Sequence, residues 1–233
     1  MSYQSSNPFV SVAEAGPAAR ALFIQRTYLH LALALAAFTV FEFLLFATGA
    51  AFAIAQFVFS FSYGFLALLG GFMVVGWLSQ SMASSSQGKG GQYAGMALYV
   101  VAEGIIFAPL LVLAAAQANG VITSAATMTL LLFGGLTATA FITRKDFSFL
   151  KSILTMGGFI ALGLIICSFI FGIQLGTWFS LAMIVFACAA ILYTTSKIIH
   201  NYSEDQYVSA SVELFASVAL LFWYILRLFM SRD

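Results

Sequence analysis

The chain is 233 residues long, 62% hydrophobic and only 7% charged, and its formal net charge is +1. Soluble domains carry roughly 25% charged residues, so no water-facing surface can be built from this composition, and without a basic patch a nucleic-acid partner is excluded. What remains is a surface that faces hydrocarbon, where every backbone N–H and C=O must be satisfied within the protein and only helices or closed barrels comply.

Run length decides for helices. No Asp, Glu, Lys or Arg falls between Phe43 and Gly88, between Gly104 and Thr143, or between Ser152 and Ser196. Each stretch is about twice the ~20 residues that carry a helix across ~30 Å of hydrocarbon, whereas barrel strands would alternate in ~10-residue segments. Each therefore reads as a helical hairpin. In chain order, a short polar tail over 1–26, with Ser5, Ser6, Pro8 and Pro17, lacks the form of a signal peptide. It leads into seven predicted spans at 27–49, 55–79, 92–116, 121–143, 150–172, 177–199 and 207–229. The expected fold is an all-α integral membrane protein: one transmembrane domain over 27–230, a seven-helix bundle of three hairpins plus a C-terminal helix.

Connections of two kinds alternate. Those near 49–54, 117–120 and 173–176 are short and uncharged, while 79–92, 144–151 and 197–206 hold the polar residues. Arg20, Arg26, Lys89, Arg144, Lys145, Lys151 and Lys197 then share one side, which the positive-inside rule assigns to the cytoplasm together with the N-terminus. Seven spans put Arg227 and Arg232 on the other side, against that rule; a last segment that re-enters without crossing would remove the conflict, so the side of the C-terminus stays open. The Ser, Gln and Gly content of 79–92 predicts a mobile loop. A short chain with minimal loops suits a bacterial inner membrane. Pairs such as Gly70 and Gly71, Gly134 and Gly135, and Gly157 and Gly158 are expected to let helices approach closely, and Pro109 to kink the third span. Cys167 and Cys188 read as buried thiols, with neither a disulfide nor a cofactor implied.

Four stretches carry a family resemblance. The third span contains Ala102-Glu103-Gly104-Ile105-Ile106-Phe107-Ala108-Pro109, and the fourth connection reads Thr143-Arg144-Lys145-Asp146-Phe147-Ser148-Phe149-Leu150. The sixth span ends Ile191-Leu192-Tyr193-Thr194-Thr195-Ser196-Lys197, and the last holds Glu213-Leu214-Phe215 through Leu221-Phe222. In order and spacing they resemble the Bax inhibitor-1 family, also called the LifeGuard or transmembrane Bax-inhibitor-motif family. The resemblance implies a seven-helix bundle whose mechanistic centre is a pair of aspartates on the sixth and last helices, thought to share a proton and to open or close a calcium leak with pH. Two like carboxylates in a low dielectric cannot both ionise easily, which makes such a pair a proton sensor. In this sequence the first aspartate maps to Thr194 and the second to Ser217, and the partner arginine of the second helix has no counterpart at Ser79 and Gln80. The aspartate switch is therefore not carried over. The resemblance still implies either a divergent Ca²⁺ or proton leak channel with an altered gating site, or a non-transporting interaction protein. The latter would be a modulator of a membrane protease, as some bacterial relatives restrain the membrane-anchored AAA protease FtsH, or an accessory subunit of a membrane complex.

The remaining ionisable groups supply the candidate site. Glu42, Glu103 and Glu213 stand in the first, third and last spans, where a charged residue costs roughly 2.5–3.5 kcal/mol on insertion scales and by default faces the bundle interior or a wet cavity. They are the candidate ion or proton site, with Glu103 near mid-membrane and Glu213 one turn before Ser217. At the fourth connection, Asp146 or Ser148 is expected to cap the first N–H groups of the fifth helix, and Arg144 and Lys145 to face lipid headgroups. Ser196 and His200 are four apart on one helix, but no third group accompanies them. No enzyme is expected.

Overall fold

The computed structural model describes residues 16–84, 88–117, 120–143 and 145–231. The tail before Gly16, the centre of the 79–92 connection, Arg144 and Arg232 lie outside the described residues. The elements run α1 (Pro17–Ala47), α2 (Ala50–Phe59), α3 (Gly64–Ala83), α4 (Lys89–Gln117), α5 (Val121–Thr143), α6 (Leu150–Phe171), α7 (Thr177–His200) and α8 (Tyr207–Met230), and a 3₁₀ turn at Glu204–Gln206 leads into α8. All but α2 are long and apolar enough to cross a bilayer, seven in all among the described residues.

Two of the expected boundaries move. Helix α1 begins at Pro17, where a proline at the first helical positions leaves no wasted N–H, so the polar tail is shorter than 1–26. The second span is not one helix over 55–79. The chain turns left-handed at Gly49, forms the short α2, and breaks again at Ser60–Tyr63 before α3. Gly64 makes that break possible: a Cβ there would lie 1.9 Å from the Val58 carbonyl oxygen, so only glycine lets the two backbones meet.

Helix α8 is the hub. It packs on α1, α3, α4, α5 and α7, and its sequence, apolar or small apart from Glu213 and Arg227, is what a largely buried helix requires. Val208, Ala210, Leu214, Phe215, Leu221 and Leu226 have almost no exposure. Aromatic rings lock it to its neighbours. Phe38 of α1 meets Phe107 of α4 edge-on at 5.3 Å and Phe215 of α8 at 6.0 Å, and Phe107 meets Trp223 at 5.0 Å. Helix α6 lies at the periphery against α7, with Ala161 its one buried position. Large apolar side chains such as Trp77, Phe159 and Trp178 point outward. On a soluble protein such a coat would be an aggregation surface; in a bilayer it is the lipid contact.

The close approaches differ from those expected. Around Gly70, Gly71, Gly134 and Gly135 a Cβ would meet nothing within 4 Å, while Gly157 packs against the ring of Phe186. The tight contacts are at Gly95, where a Cβ would sit 2.6 Å from the Ser79 oxygen, and at Gly104, where it would sit 2.4 Å from the Phe41 ring. Pro109 is buried inside α4, which runs helical through it. Cys167 is exposed on the outer face of α6 and not buried, because that helix packs on one side; Cys188 is half-buried, and both are free thiols.

Candidate functional site

Thr194 on α7 and Ser217 on α8 are both buried. Neither carries charge, and the Ser217 hydroxyl is spent on its own helix, donating to the Glu213 carbonyl at 3.0 Å. The charged contact between these helices lies one turn away. Lys197 Nζ reaches both carboxylate oxygens of Glu213, at 2.7 and 3.0 Å. The ammonium also lies over the Tyr202 ring, 5.0 Å from its centroid. Burial pushes the Tyr202 phenol above its ordinary range, and the Glu213 carboxylate adds to this. Glu213 is thus the counter-ion of Lys197, not a free carboxylate beside Ser217.

Glu103 has a different setting. It stands midway along α4, about 21 Å of helix rise from either end, and is only 6% exposed. Tyr99 stands one turn earlier on the same helix, and Oε2 is buried without a partner. Glu103 and Tyr99 line a cavity of about 1320 Å³ bounded by α2, the break at Ser60–Ser62, α3, α4, α6, α7 and α8. The cavity continues past Phe65, Phe169 and Trp223 to the α6–α7 connection at Gly172–Leu175, and there Arg227 joins the wall. Arg227 donates to the Leu175 carbonyl at 2.7 Å and lies 6.0 Å from the Phe179 ring centroid.

Glu42 does not join this cavity. Its carboxylate is buried against α4, where a Cβ on Gly104 would come within 3.4 Å of Oε1, and neither oxygen has a hydrogen-bond partner. The three acids therefore occupy three separate environments: one ion-paired, one beside the cavity and one in the α1–α4 seam. Among the described residues no three of His, Cys, Asp and Glu come together, so no ready-made metal site exists there.

The connection before α6 is built differently from the expected cap. Asp146 Oδ1 accepts the N–H and the hydroxyl of Ser148, and no side chain caps the first turn of α6. The carboxylate closes the turn two residues ahead of the helix and does not reach its N–H groups; Leu150 and Lys151 donate instead to the carbonyls of Phe147 and Ser148. The Ser148 hydroxyl, then its N–H, hold the Asp146 carboxyl below the usual carboxylate range. Ser196 anchors this turn from α7 by accepting the Phe147 N–H at 3.0 Å. His200 Nδ1 sits 2.9 Å from the Ser196 carbonyl and 3.5 Å from its hydroxyl. A serine buried to 2% exposure and engaged with a backbone N–H is not disposed as a nucleophile.

Two features have no marker in the sequence. At the end of the bundle that carries Arg20, Lys145, Lys151 and Lys197, the ring of Tyr207 gathers side chains from α1 and α4. Lys89 Nζ lies 4.3 Å and Arg26 Cζ 5.6 Å from its centroid, and the His30 ring is 5.0 Å away. His30 Nε2 in turn reaches the Tyr93 hydroxyl at 3.0 Å. The second feature is Arg227 in the cavity wall. No spacing rule joins residues 26, 89 and 207, or 103 and 227; only the packing of the helices does.

Comparison with known proteins agrees with this architecture. Residues 20–233 match a family model described as inhibitor of apoptosis-promoting Bax1. Over 131 residues the chain is 41% identical to an uncharacterized protein of Pseudomonas aeruginosa, a match that covers 54% of this chain and 58% of that relative, less than two thirds of its length.

Proposed function

From the premise that the chain belongs to the Bax inhibitor-1 family, we propose that it is a proton leak pathway of a bacterial inner membrane, with Glu103 as the group that takes up and releases the proton. One observation carries this reading: at the middle of α4 a carboxyl group with an unpartnered oxygen faces a cavity of about 1320 Å³. Intramembrane acids that line cavities are the usual elements of proton relays. Calcium is the less suited cargo. It takes 6–8 oxygen ligands, whereas the inner part of this cavity offers one carboxylate and the Tyr99 hydroxyl. The basic end of the bundle is assigned to the cytoplasm by the positive-inside rule, so the cavity opens toward the opposite face. The gating differs from that implied by the aspartate pair, since α7 and α8 are joined by the Lys197–Glu213 ion pair.

Reconstitution tests the reading. Vesicles containing the full chain, with a pH gradient and a trapped pH-sensitive dye, should dissipate the gradient faster than empty vesicles, and Glu103→Gln should bring the rate down to the empty-vesicle level. Equal rates for protein-containing and empty vesicles, or an unaltered rate in Glu103→Gln, would refute it. A second reading, a non-transporting partner of a membrane protease or another membrane complex, is favoured by the same ion pair, which closes the bundle at its basic end. Affinity capture from native membranes that recovers the chain alone would count against that alternative.

A further inference from the structure

Resting on the proton-path reading, we propose that Arg227 is the charge filter of this cavity: its guanidinium at the mouth bars metal cations, divalent ones above all, from the way to Glu103.

The placement follows from paired contacts between α4 and α8. Tyr99 meets Phe215 at 6.0 Å and Phe107 meets Trp223 at 5.0 Å. Glu103, midway between Tyr99 and Phe107, is therefore level with Ala219, which also lines the cavity. From Ala219 to Arg227 helix α8 rises about 12 Å. Among the described lining residues, Glu103 and Arg227 are the charged ones. They are ordered along the cavity, the acid within and the cation at the mouth.

The guanidinium is fixed there by partners that do not cancel its charge. One N–H goes to the Leu175 carbonyl at 2.7 Å, and the Phe179 ring lies beside it. The ion pairs among the described residues are Lys89–Asp205 and Lys197–Glu213; none involves Arg227. A fixed charge between low-dielectric walls focuses its field along the opening, and an arginine in a pore raises an electrostatic barrier to cations. That barrier scales with the charge of the ion, so a divalent cation meets twice the barrier of a proton. The filter also accounts for an arginine on the side where the positive-inside rule places few. A cation in the last turn of a helix is stabilised by the helix dipole in any case, but that role predicts nothing about what enters the cavity.

The test reads charge selectivity directly. In the full chain with Cys167→Ala and Cys188→Ala, Ala219→Cys supplies a reporter thiol at the level of Glu103. Its reaction in liposomes is timed with methanethiosulfonate reagents of similar size, one carrying a sulfonate and one a trimethylammonium group. Arg227→Gln removes the charge but keeps an N–H for Leu175. The ratio of anionic to cationic rates should fall about tenfold in that variant, and Arg227→Lys should keep the parent ratio. Gln174→Glu, which sets an acid at the same mouth, should lower the ratio as well and serves if Arg227→Gln does not yield monodisperse protein. An unmoved ratio in Arg227→Gln and Gln174→Glu, or a thiol that reacts with neither reagent, overturns the proposal. A falling thiol ratio without any proton flux would keep the filter and remove the proton reading; proton flux with an unmoved ratio would do the reverse.

Discussion

Glu213→Gln should destabilise the protein by about 2 kcal/mol, a value that lies between two limits. Exposed ion pairs contribute about 0–1 kcal/mol, and stripping one partner from a fully buried pair costs about 3–5 kcal/mol. Here the side chains of Lys197 and Glu213 are 33% and 27% exposed, and the contacts are short and double. With Gln at position 213 the ammonium keeps the Tyr202 ring, worth about 0.5–1 kcal/mol at an exposed site, but loses its counter-charge. In a chain of this size about 2 kcal/mol corresponds to roughly 4–8 °C in Tm, measurable by thermal unfolding in detergent. Lys197→Met combined with Glu213→Gln should cost less than the sum of the single changes, because the orphaned charge is then gone. A Tm within about a degree of the parent, or strict additivity in the double-mutant cycle, would refute the view that this pair fastens α7 to α8.

Three further outcomes follow from geometry already described. Gly104→Ala would force a Cβ to 2.4 Å from the Phe41 ring and should cost about 1–3 kcal/mol by overpacking, whereas Gly134→Ala, with open space around it, should be neutral or gain up to about 1 kcal/mol of helix propensity; unfolding of the two variants side by side checks this. Asp146→Asn should lower Tm near neutral pH, because a carboxyl held below its unfolded range by Ser148 contributes stability above the unfolded value that is lost as pH falls through the folded one; Tm curves of parent and variant that fail to converge in acid would contradict the assignment. Ser196→Ala should cost about 1–3 kcal/mol by leaving the Phe147 N–H without its acceptor, and Ser196 in the parent should resist a fluorophosphonate probe, with labelling there reopening the hydrolase question.

The bundle was legible in the sequence because hydrocarbon imposes one strong rule, an apolar run of spanning length, and six of the seven expected spans coincide with helices to within a few residues at most ends. The second did not, because the turn carries no charge and is too short to interrupt the hydropathy of its surroundings. Ser60, Ser62, Tyr63 and Gly64 are residues a turn favours, but the length of the uncharged run outweighed them, and the contact of Gly64 with Val58 shows where the chain breaks. The site was legible in part. Glu103 stood out because an acid at mid-span is conspicuous whatever surrounds it. That Glu213 would be neutralised by Lys197 was open to inference, since the two flank the turn between the last two helices, yet the reading of Glu213 beside Ser217 considered only its own helix. Arg227 looked like an exception to a topology rule, and its position in the cavity wall emerges only when α6, α7 and α8 are packed together.

The central place of α8 bears on how the protein is made. In chain order it follows every other helix, yet α1, α3, α4, α5 and α7 all pack on it. While the ribosome is still translating, the earlier helices enter the bilayer without the surface they are shaped to meet, and the interior closes only when α8 arrives. Insertion and packing are thereby separated in time. A stalled nascent chain that ends before Tyr207 leaves Phe38, Tyr99 and Phe107 without the α8 rings they meet in the finished bundle, and that missing face distinguishes an unfinished product from a mature one.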